Sequence, residues 1–366
     1  MTAAEPALAL KEIFNAERLK HIATEMTAVY PEFNAKAFLK LANDGLANLS
    51  IMQRMARVSE CLHAVLPLGY EESLDVLRAL APRLNSGFVS ISLPHYVAMY
   101  GGHDFEQSMD ALKYFTAFGS AEFAIRYFLR NDLQRSLVLM QQWSLDENEH
   151  VRRLASEGCR PRLPWSFRLE QIQGDPTLAA AILDNLKADE SLYVRKSVAN
   201  HLNDITKDHP EWVLDLIEGW SLENKHTAWI AKHALRSLIK QGNQRALAII
   251  GASGKAEVEI VEVKVEPALI RLGEKITLSF VVKSTVAESQ RLVIDYAIDY
   301  VKANGSTSAK VFKLKALTLP GKAIEQVSRG QQIKELTTRK HYVGVHAVHI
   351  LVNGERLAST SFEILT

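Results

Sequence analysis

Glu157 and Trp165 frame the stretch of this chain whose residue types best suit bond-breaking chemistry. The run from Asn148 to Trp165 reads NEHVRRLASEGCRPRLPW. Between His150 and Trp165 it carries Arg152, Arg153, Arg160 and Arg162, with Glu157 as the single carboxylate. Wound at 3.6 residues per turn, Val151, Leu154, Ala155 and Gly158 form one apolar stripe, and Arg152, Arg153, Ser156, Glu157 and Arg160 share the opposite arc. Pro161 and Pro164 end the helix and hold the chain extended beyond it, which delivers Trp165 to a fixed place near the helix end. The expected product is a cationic surface with one acid and one aromatic plate beside it. The stretch also has a plain structural reading, in which Glu149 and Arg153 pair at i, i+4 on a solvated face.

Glu122 is the second acid of interest. Ser120 is an N-cap by type, which predicts Glu122 in the first turn of a mostly apolar helix, EFAIRYFL. There it either serves the positive helix end or faces a positive charge on a ligand. Two carboxylates and a tryptophan suit cleavage of an N-glycosidic bond, whose sugar becomes oxocarbenium-like as the bond breaks. A carboxylate stabilises that cation, or orients and deprotonates the attacking water. A leaving base that is already cationic needs no general acid, and Trp165 would hold it by a cation–π contact worth about 0.5–2 kcal/mol. The arginines would grip phosphates.

Other chemistries lack their signatures. The sequence has no P-loop, no Cys-x-x-Cys pair, no H-E-x-x-H, no G-x-S-x-G and no dinucleotide fingerprint. None of the twelve histidines has convincing ligand spacing; His226 and His233, at i, i+7, read as surface or groove residues. No metal or cofactor is expected. A net charge of +1 excludes a protein that is basic all over, so any nucleic-acid affinity must come from local clustering. Cys61 and Cys159 are far apart, which argues against a disulfide framework and for a reducing, cytoplasmic setting. The N-terminus carries an early Glu5 and no long apolar run, so it does not read as a secretory signal, and no stretch is apolar enough to span a membrane.

These residues need elements to position them. With 366 residues, about two domains are expected. Residues 1 to about 250 read as helices, with candidates at 16–30, 34–49, 51–66 and 70–84, and Pro94 interrupts the next apolar run. From Asp104 the helices pair, and three second helices align as HVRRLA, YVRKSV and WIAKHA. Val151, Val194 and Ile230 are spaced by 43 and 36 residues, which matches a HEAT-type helical solenoid of roughly 40 residues per repeat. Each hairpin leaves an apolar face uncovered, so hairpins stack and their second helices line one surface. Arg126 and Arg130, Arg152 and Arg153, Arg195 and Lys196, then Lys232, His233 and Arg236 recur on those helices and predict a basic groove. Glu122 and Glu157 lie on neighbouring lining helices and converge in this register.

Gly251 to Gly254 marks a change of period from helical to two. Ile276, Leu278, Phe280 and Val282 alternate, as do Leu292, Ile294, Tyr296, Ile298 and Tyr300, and Asn304-Gly305 and Asn353-Gly354 signal hairpin turns. The alternation slips between Ile260 and Val261, as at a bulge. About seven short strands predict an immunoglobulin-like β-sandwich, with Tyr342 as a candidate corner tyrosine. The expected architecture is therefore α then β: a HEAT-like solenoid over 1–251 and a sandwich over 255–366.

Three motifs carry a further signal. SAEFAIRYFLR (120–130), NEHVRRLASEGCRPRLPW (148–165) and DESLYVRKSVANHLNDITKDHP (189–210) resemble the AlkC branch of the bacterial AlkC/AlkD alkylpurine DNA glycosylases. EGCRPRLPW is the most specific of these runs, and the resemblance covers the whole chain. It implies a monofunctional glycosylase that releases 3-methyladenine and 3-methylcytosine from double-stranded DNA, kinking the duplex without flipping the base into a deep pocket. By motif match Glu122 and Glu157 would be the catalytic carboxylates and Trp165 the lesion contact, with Arg152, Arg153, Arg160 and Arg162 on the DNA backbone. The repeat register extends that DNA-binding set to Arg195, Lys196, Lys232 and His233. The sandwich would clamp the DNA from the other side through Arg339, Lys340 or His341. Nothing requires more than a monomer. The competing reading is a non-catalytic HEAT-repeat module that binds DNA or a protein partner.

Overall fold

The computed structural model describes residues 10–252, 254–335 and 340–365. Packing divides the chain into two compact units, Met1–Asp208 with Asn224–Ile230, and His209–Glu223 with Ala231–Thr366.

In the first unit the periodic segments become helices over Ala16–Val29, Ala35–Asn43, Ile51–Val65 and Tyr70–Leu80. Side-chain caps set their starts. Asn15 Oδ1 accepts from Arg18 N at 2.9 Å, and Ser50 and Gln53 exchange hydrogen bonds of 3.4 and 2.9 Å in a capping box. Pro94 does not interrupt the chain as expected. It lies in the first turn of a helix over Ser92–Tyr100, where the backbone N–H it lacks has no intrahelical partner to lose.

The pairing begins where the spacing predicts. Phe105–Phe115 precedes Ile125–Asn131, Leu133–Trp143 precedes Glu149–Gly158, and the short Ala180–Asn185 precedes Leu192–Ile205. The Glu149–Gly158 and Leu192–Ile205 helices pack side by side, each contributing buried apolar residues, Val151, Leu154 and Ala155 from one and Val194, Val198 and Leu202 from the other. Gly158 permits the close approach to the preceding pair: a Cβ there would lie 2.5 Å from Ile125 Cγ2.

In the second unit, helices over Pro210–Glu218, Arg236–Lys240 and Gln244–Ile249 accompany the strands. The last helix ends at Ile249 and the first strand begins at Val258, which brackets the change of period at Gly251–Gly254. The compact units divide earlier than that sequence boundary because the Arg236–Lys240 helix packs on a strand. Backbones also meet there: a Cβ on Gly354 would lie 2.2 Å from Gly242 Cα.

The strands are β1 (Val258–Glu266), β2 (Leu269–Ile270), β3 (Lys275–Ser284), β4 (Gln290–Val301), β5 (Thr307–Leu319), β6 (Ile324–Gln332), β7 (Gly344–Val352) and β8 (Glu355–Ile364). They form a three-stranded sheet, β1-β3-β6, and a five-stranded sheet, β2-β8-β7-β4-β5. The alternating residues of β3 and β4 fill the core between them. The slip in β1 is a bulge: Val261 pairs with Val281, Lys264 with Ser279, and Glu262 has φ +55°. Asn353 and Gly354 both take positive φ, as a tight hairpin turn requires. Tyr342 is not a corner tyrosine. It is 37% exposed, and its hydroxyl makes no hydrogen bond among the described residues. The buried Tyr296 donates instead to Gln331 Oε1 at 2.8 Å, tying β4 to β6.

Candidate active site

The helix over Glu149–Gly158 is started by Asn148, whose Oδ1 accepts from His150 N at 2.9 Å. Its polar arc differs from expectation: Ser156, Glu157 and Arg160 are buried, Glu157 to 5% and Arg160 to 7% exposure. The arc faces neighbouring elements, so the acid lies at the bottom of a cleft and not on an open cationic face. The helix after Ser120 also begins later than expected, at Ile125. Residues 122–124 form a turn first, in which Ser120 Oγ accepts from Glu122 N at 3.3 Å and donates to Glu122 Oε2 at 2.8 Å.

The two acids converge. Arg153 bridges them, making an ion pair with Glu122 and reaching Glu157 Oε1 with Nη2 at 3.5 Å. Its Nη1 donates to Ser120 Oγ at 2.6 Å, and its guanidinium carbon lies 4.9 Å from the centre of the Tyr193 ring. On the far side Arg160 donates from Nη1 to Glu157 Oε1 at 2.6 Å and from Nε to Asp204 Oδ2 at 2.9 Å. Asp204 Oδ1 accepts from Lys207 Nζ at 3.1 Å. Burial opposes the charge on Arg160, but Glu157 and Asp204 outweigh it and raise its pKa. A ladder of alternating charge thus runs from Glu122 through Arg153, Glu157, Arg160 and Asp204 to Lys207.

Trp165 stands at the rim, 61% exposed, with φ +65°. A bulky side chain rarely adopts this left-handed backbone. Its ring meets Phe88 edge to face at 6.4 Å. The loop that presents it is fixed by Arg126, which is fully buried. Arg126 Nη1 donates to the carbonyls of Gly158 at 3.0 Å and Arg160 at 2.6 Å, and Nη2 donates to that of Phe167. Burial pulls its guanidinium down to about 10. Beneath the helix, His201 Nδ1 lies 3.0 Å from the Ser156 carbonyl, and complete burial pushes its pKa down to about 3. Glu122, Arg153, Glu157, Arg160, Trp165 and Tyr193 all line one open cleft of about 520 Å³.

Comparison with known proteins shows the family to which the chain belongs. Residues 107–238 match the family model described as DNA alkylation repair enzyme, and residues 259–366 match the C-terminal Ig-like domain of the uncharacterised protein YhaZ. The YhaZ protein of Bacillus subtilis (strain 168) is 41% identical over 97% of this chain and 99% of its own length. The solved structure of Pseudomonas fluorescens alkylpurine DNA glycosylase AlkC, bound to DNA containing an abasic site analog, is 70% identical. The match covers 98% of this chain and 100% of that one, with a TM-score of 0.96. The chain belongs to the AlkC family of alkylpurine DNA glycosylases.

The other basic residues of this AlkC-family chain have distinct surroundings. Arg152 grips Asp189 with Nε at 2.7 Å and Nη2 at 3.2 Å, and its Nη1 donates to the carbonyls of Asp146 and Glu147. Arg195 repeats the move one repeat later, donating from Nη1 to the carbonyls of Asp189 and Glu190 at 2.9 and 2.7 Å. The recurrence of these two arginines therefore has a structural cause: each ties its helix to the loop before it. Arg126, expected in the groove, is the buried anchor described above. Arg162 pairs with Asp208 through Nε at 3.0 Å and Nη2 at 2.7 Å. Lys196 is exposed, whereas Lys232 and His233 are half-buried. Lys340 is exposed, and Arg339 lies outside the described residues.

Sequence reasoning passed over Tyr193, Asp204 and the anchoring role of Arg126. The Arg126 signal was present, a lone cation amid FAI and YFL. Asp204 and Tyr193 meet the site only through tertiary packing of the next repeat.

Proposed function

We propose that the protein is a monofunctional DNA glycosylase that hydrolyses the N-glycosidic bond of cationic alkylated bases, 3-methyladenine and 3-methylcytosine, in double-stranded DNA. The observation that carries this reading is the convergence of Glu122 and Glu157 in a cleft rimmed by Trp165. As the bond lengthens, positive charge grows on the sugar, and carboxylates already fixed in place stabilise it without reorganising. One of them receives a proton from the attacking water. Trp165 offers its ring face to the cationic base, which departs neutral and needs no acid. No lysine lines the cleft among the described residues, which favours water over an amine as nucleophile. The openness of the cleft and the exposure of Trp165 favour approach to the lesion without burying a flipped base.

Residues 1–251 would form the glycosylase domain and 255–366 an immunoglobulin-like domain that clamps the duplex. Arg152, Arg153, Arg160, Arg162, Arg195, Lys196, Lys232, His233, Arg339 and Lys340 are the basic residues assigned to DNA. Of these Lys196 and Lys340, exposed and without an ion pair among the described residues, are the freest to meet a phosphate. Two buried free cysteines support a reducing, cytoplasmic setting.

The test is single-turnover base release from a duplex holding one 3-methylcytosine, read by alkaline cleavage at the abasic site. Glu122→Gln and Glu157→Gln should each slow release by on the order of 10²-fold or more. Tight duplex binding with no release from 3-methylcytosine or 3-methyladenine would reduce the protein to a binding module.

A further inference from the structure

Arg153 differs from the other arginines of the site in what holds it. Arg160 has Asp204 behind it, Arg152 has Asp189, and Arg126 has three backbone carbonyls. The hydrogen-bond and ion-pair partners of Arg153 are Ser120, Glu122 and Glu157, the lining of the cleft itself, with the Tyr193 ring as a further wall. Two carboxylates and an aromatic face form a cage for a cation. In the protein alone the cage is filled by a guanidinium that is 13% exposed.

We propose that Arg153 is a resident counter-cation, occupying the seat that the cationic centre of the substrate takes. This inference rests on the assignment of Glu122 and Glu157 under the proposed function. A positively charged nucleotide, or the sugar cation formed from it, can replace the guanidinium with no net loss of charge compensation between the acids. A neutral nucleotide cannot, because seating it would leave Glu122 without an ion-pair partner among the described residues and Glu157 with Arg160 alone, in a partly desolvated cleft. Arg153 is thus a specificity-determining residue that raises the threshold for entry to ligands carrying their own positive charge. It also returns to the cage once the product is neutral, which favours release of the abasic site. Its long stem lets the displaced guanidinium reach an incoming phosphate, a contact available only when DNA is bound.

The discriminating experiment compares duplexes bearing a cationic pyrrolidine abasic analogue with duplexes bearing the neutral tetrahydrofuran analogue. The quantity measured is the ratio of the two dissociation constants at fixed salt. Wild type should prefer the pyrrolidine. With the resident removed, Arg153→Ala should narrow that preference about tenfold or more, since a neutral ligand no longer has to displace a guanidinium from the acids. Arg153→Gln, which keeps a hydrogen-bonding side chain beside Ser120, should also narrow it and serves if the alanine variant folds poorly. Arg153→Lys should return the ratio towards wild type. If Arg153 were only a phosphate contact or a structural tie, both analogues would weaken together and the ratio would stay within about twofold, overturning the proposal. Absence of any preference in wild type would also overturn it. The site assignment fails separately, by base release that Glu122→Gln and Glu157→Gln leave intact.

Discussion

Asp204 holds Arg160 through two of its nitrogens, Nε at 2.9 Å and Nη2 at 2.8 Å, and so aims the third, Nη1, at Glu157. All three side chains are buried. Glu157 is therefore positioned by a residue of the next repeat that does not line the cleft. A buried guanidinium that loses a carboxylate partner turns towards whatever acceptor remains. Asp204→Asn should leave Glu157 in place chemically but displaced in space. The expected effect is a loss of single-turnover base release on the order of 10²-fold, with duplex affinity within about threefold of wild type. Equal loss of affinity and rate would show that Asp204 supports the fold and not the placement of Glu157.

Trp165 offers a cleaner separation of chemistry from stability, because its ring is mostly solvent-exposed. Trp165→Ala should leave the melting temperature almost unchanged. It should slow release of a cationic base by about 2–30-fold, the rate equivalent of a cation–π contact of about 0.5–2 kcal/mol. Trp165→Phe should fall between the two, since a smaller ring keeps part of the quadrupole. Matching rates for the alanine variant and wild type would remove Trp165 from the lesion contact.

The order of elements was legible from period alone. Helix pairs at roughly 40-residue spacing and the switch to alternation after Gly254 both arise from how a chain buries one face of each element. Glu122, Glu157 and Trp165 were legible as a set because each stands out locally: an acid beside a cap, an acid among arginines, a tryptophan after prolines. What the sequence hid was direction. Arg152 and Arg153 are adjacent, yet one turns to Asp189 and a loop and the other to the two acids. A one-residue step rotates a side chain by about 100° around a helix, and only the packed neighbours decide which side is cleft. The buried fate of Arg126 and Arg160 came from partners tens of residues away, 32 for Arg126 and Gly158 and 44 for Arg160 and Asp204, beyond any local pattern.

His201 links the site to acid stability. It is fully buried, and burial, reinforced by Arg160, lowers its pKa from 6.5 to about 3, against the opposing hydrogen bond with the Ser156 backbone. Below pH 6.5 the unfolded chain takes up a proton that the folded chain refuses. The stability this group contributes is complete above pH 6.5 and is lost as pH falls towards about 3. The difference in unfolding free energy between wild type and His201→Gln should change by up to about 1.4 kcal/mol per pH unit across that window. A difference that stays flat between pH 6.5 and 4 would mean that His201 charges in place.

Asp295, in the second compact unit, should show the opposite sign. Its carboxyl is 5% exposed, and its Oδ1 has no hydrogen-bond partner among the described residues. Burial raises its pKa from 3.8 to about 6, although Lys240, the Leu314 backbone and Lys313 pull the other way. Between those values the folded protein holds a proton that the unfolded chain has shed. The contribution is therefore present below pH 3.8 and lost as pH rises through about 6. At pH 8 the wild type carries a buried charge short of one partner, whereas Asp295→Asn offers a neutral amide of the same shape. The variant should be more stable than wild type by about 1–3 kcal/mol at pH 8 and should lose that advantage by pH 4. Urea denaturation of both proteins at the two pH values measures this directly. An advantage that persists unchanged at pH 4 would assign the gain to packing instead of to the buried carboxylate.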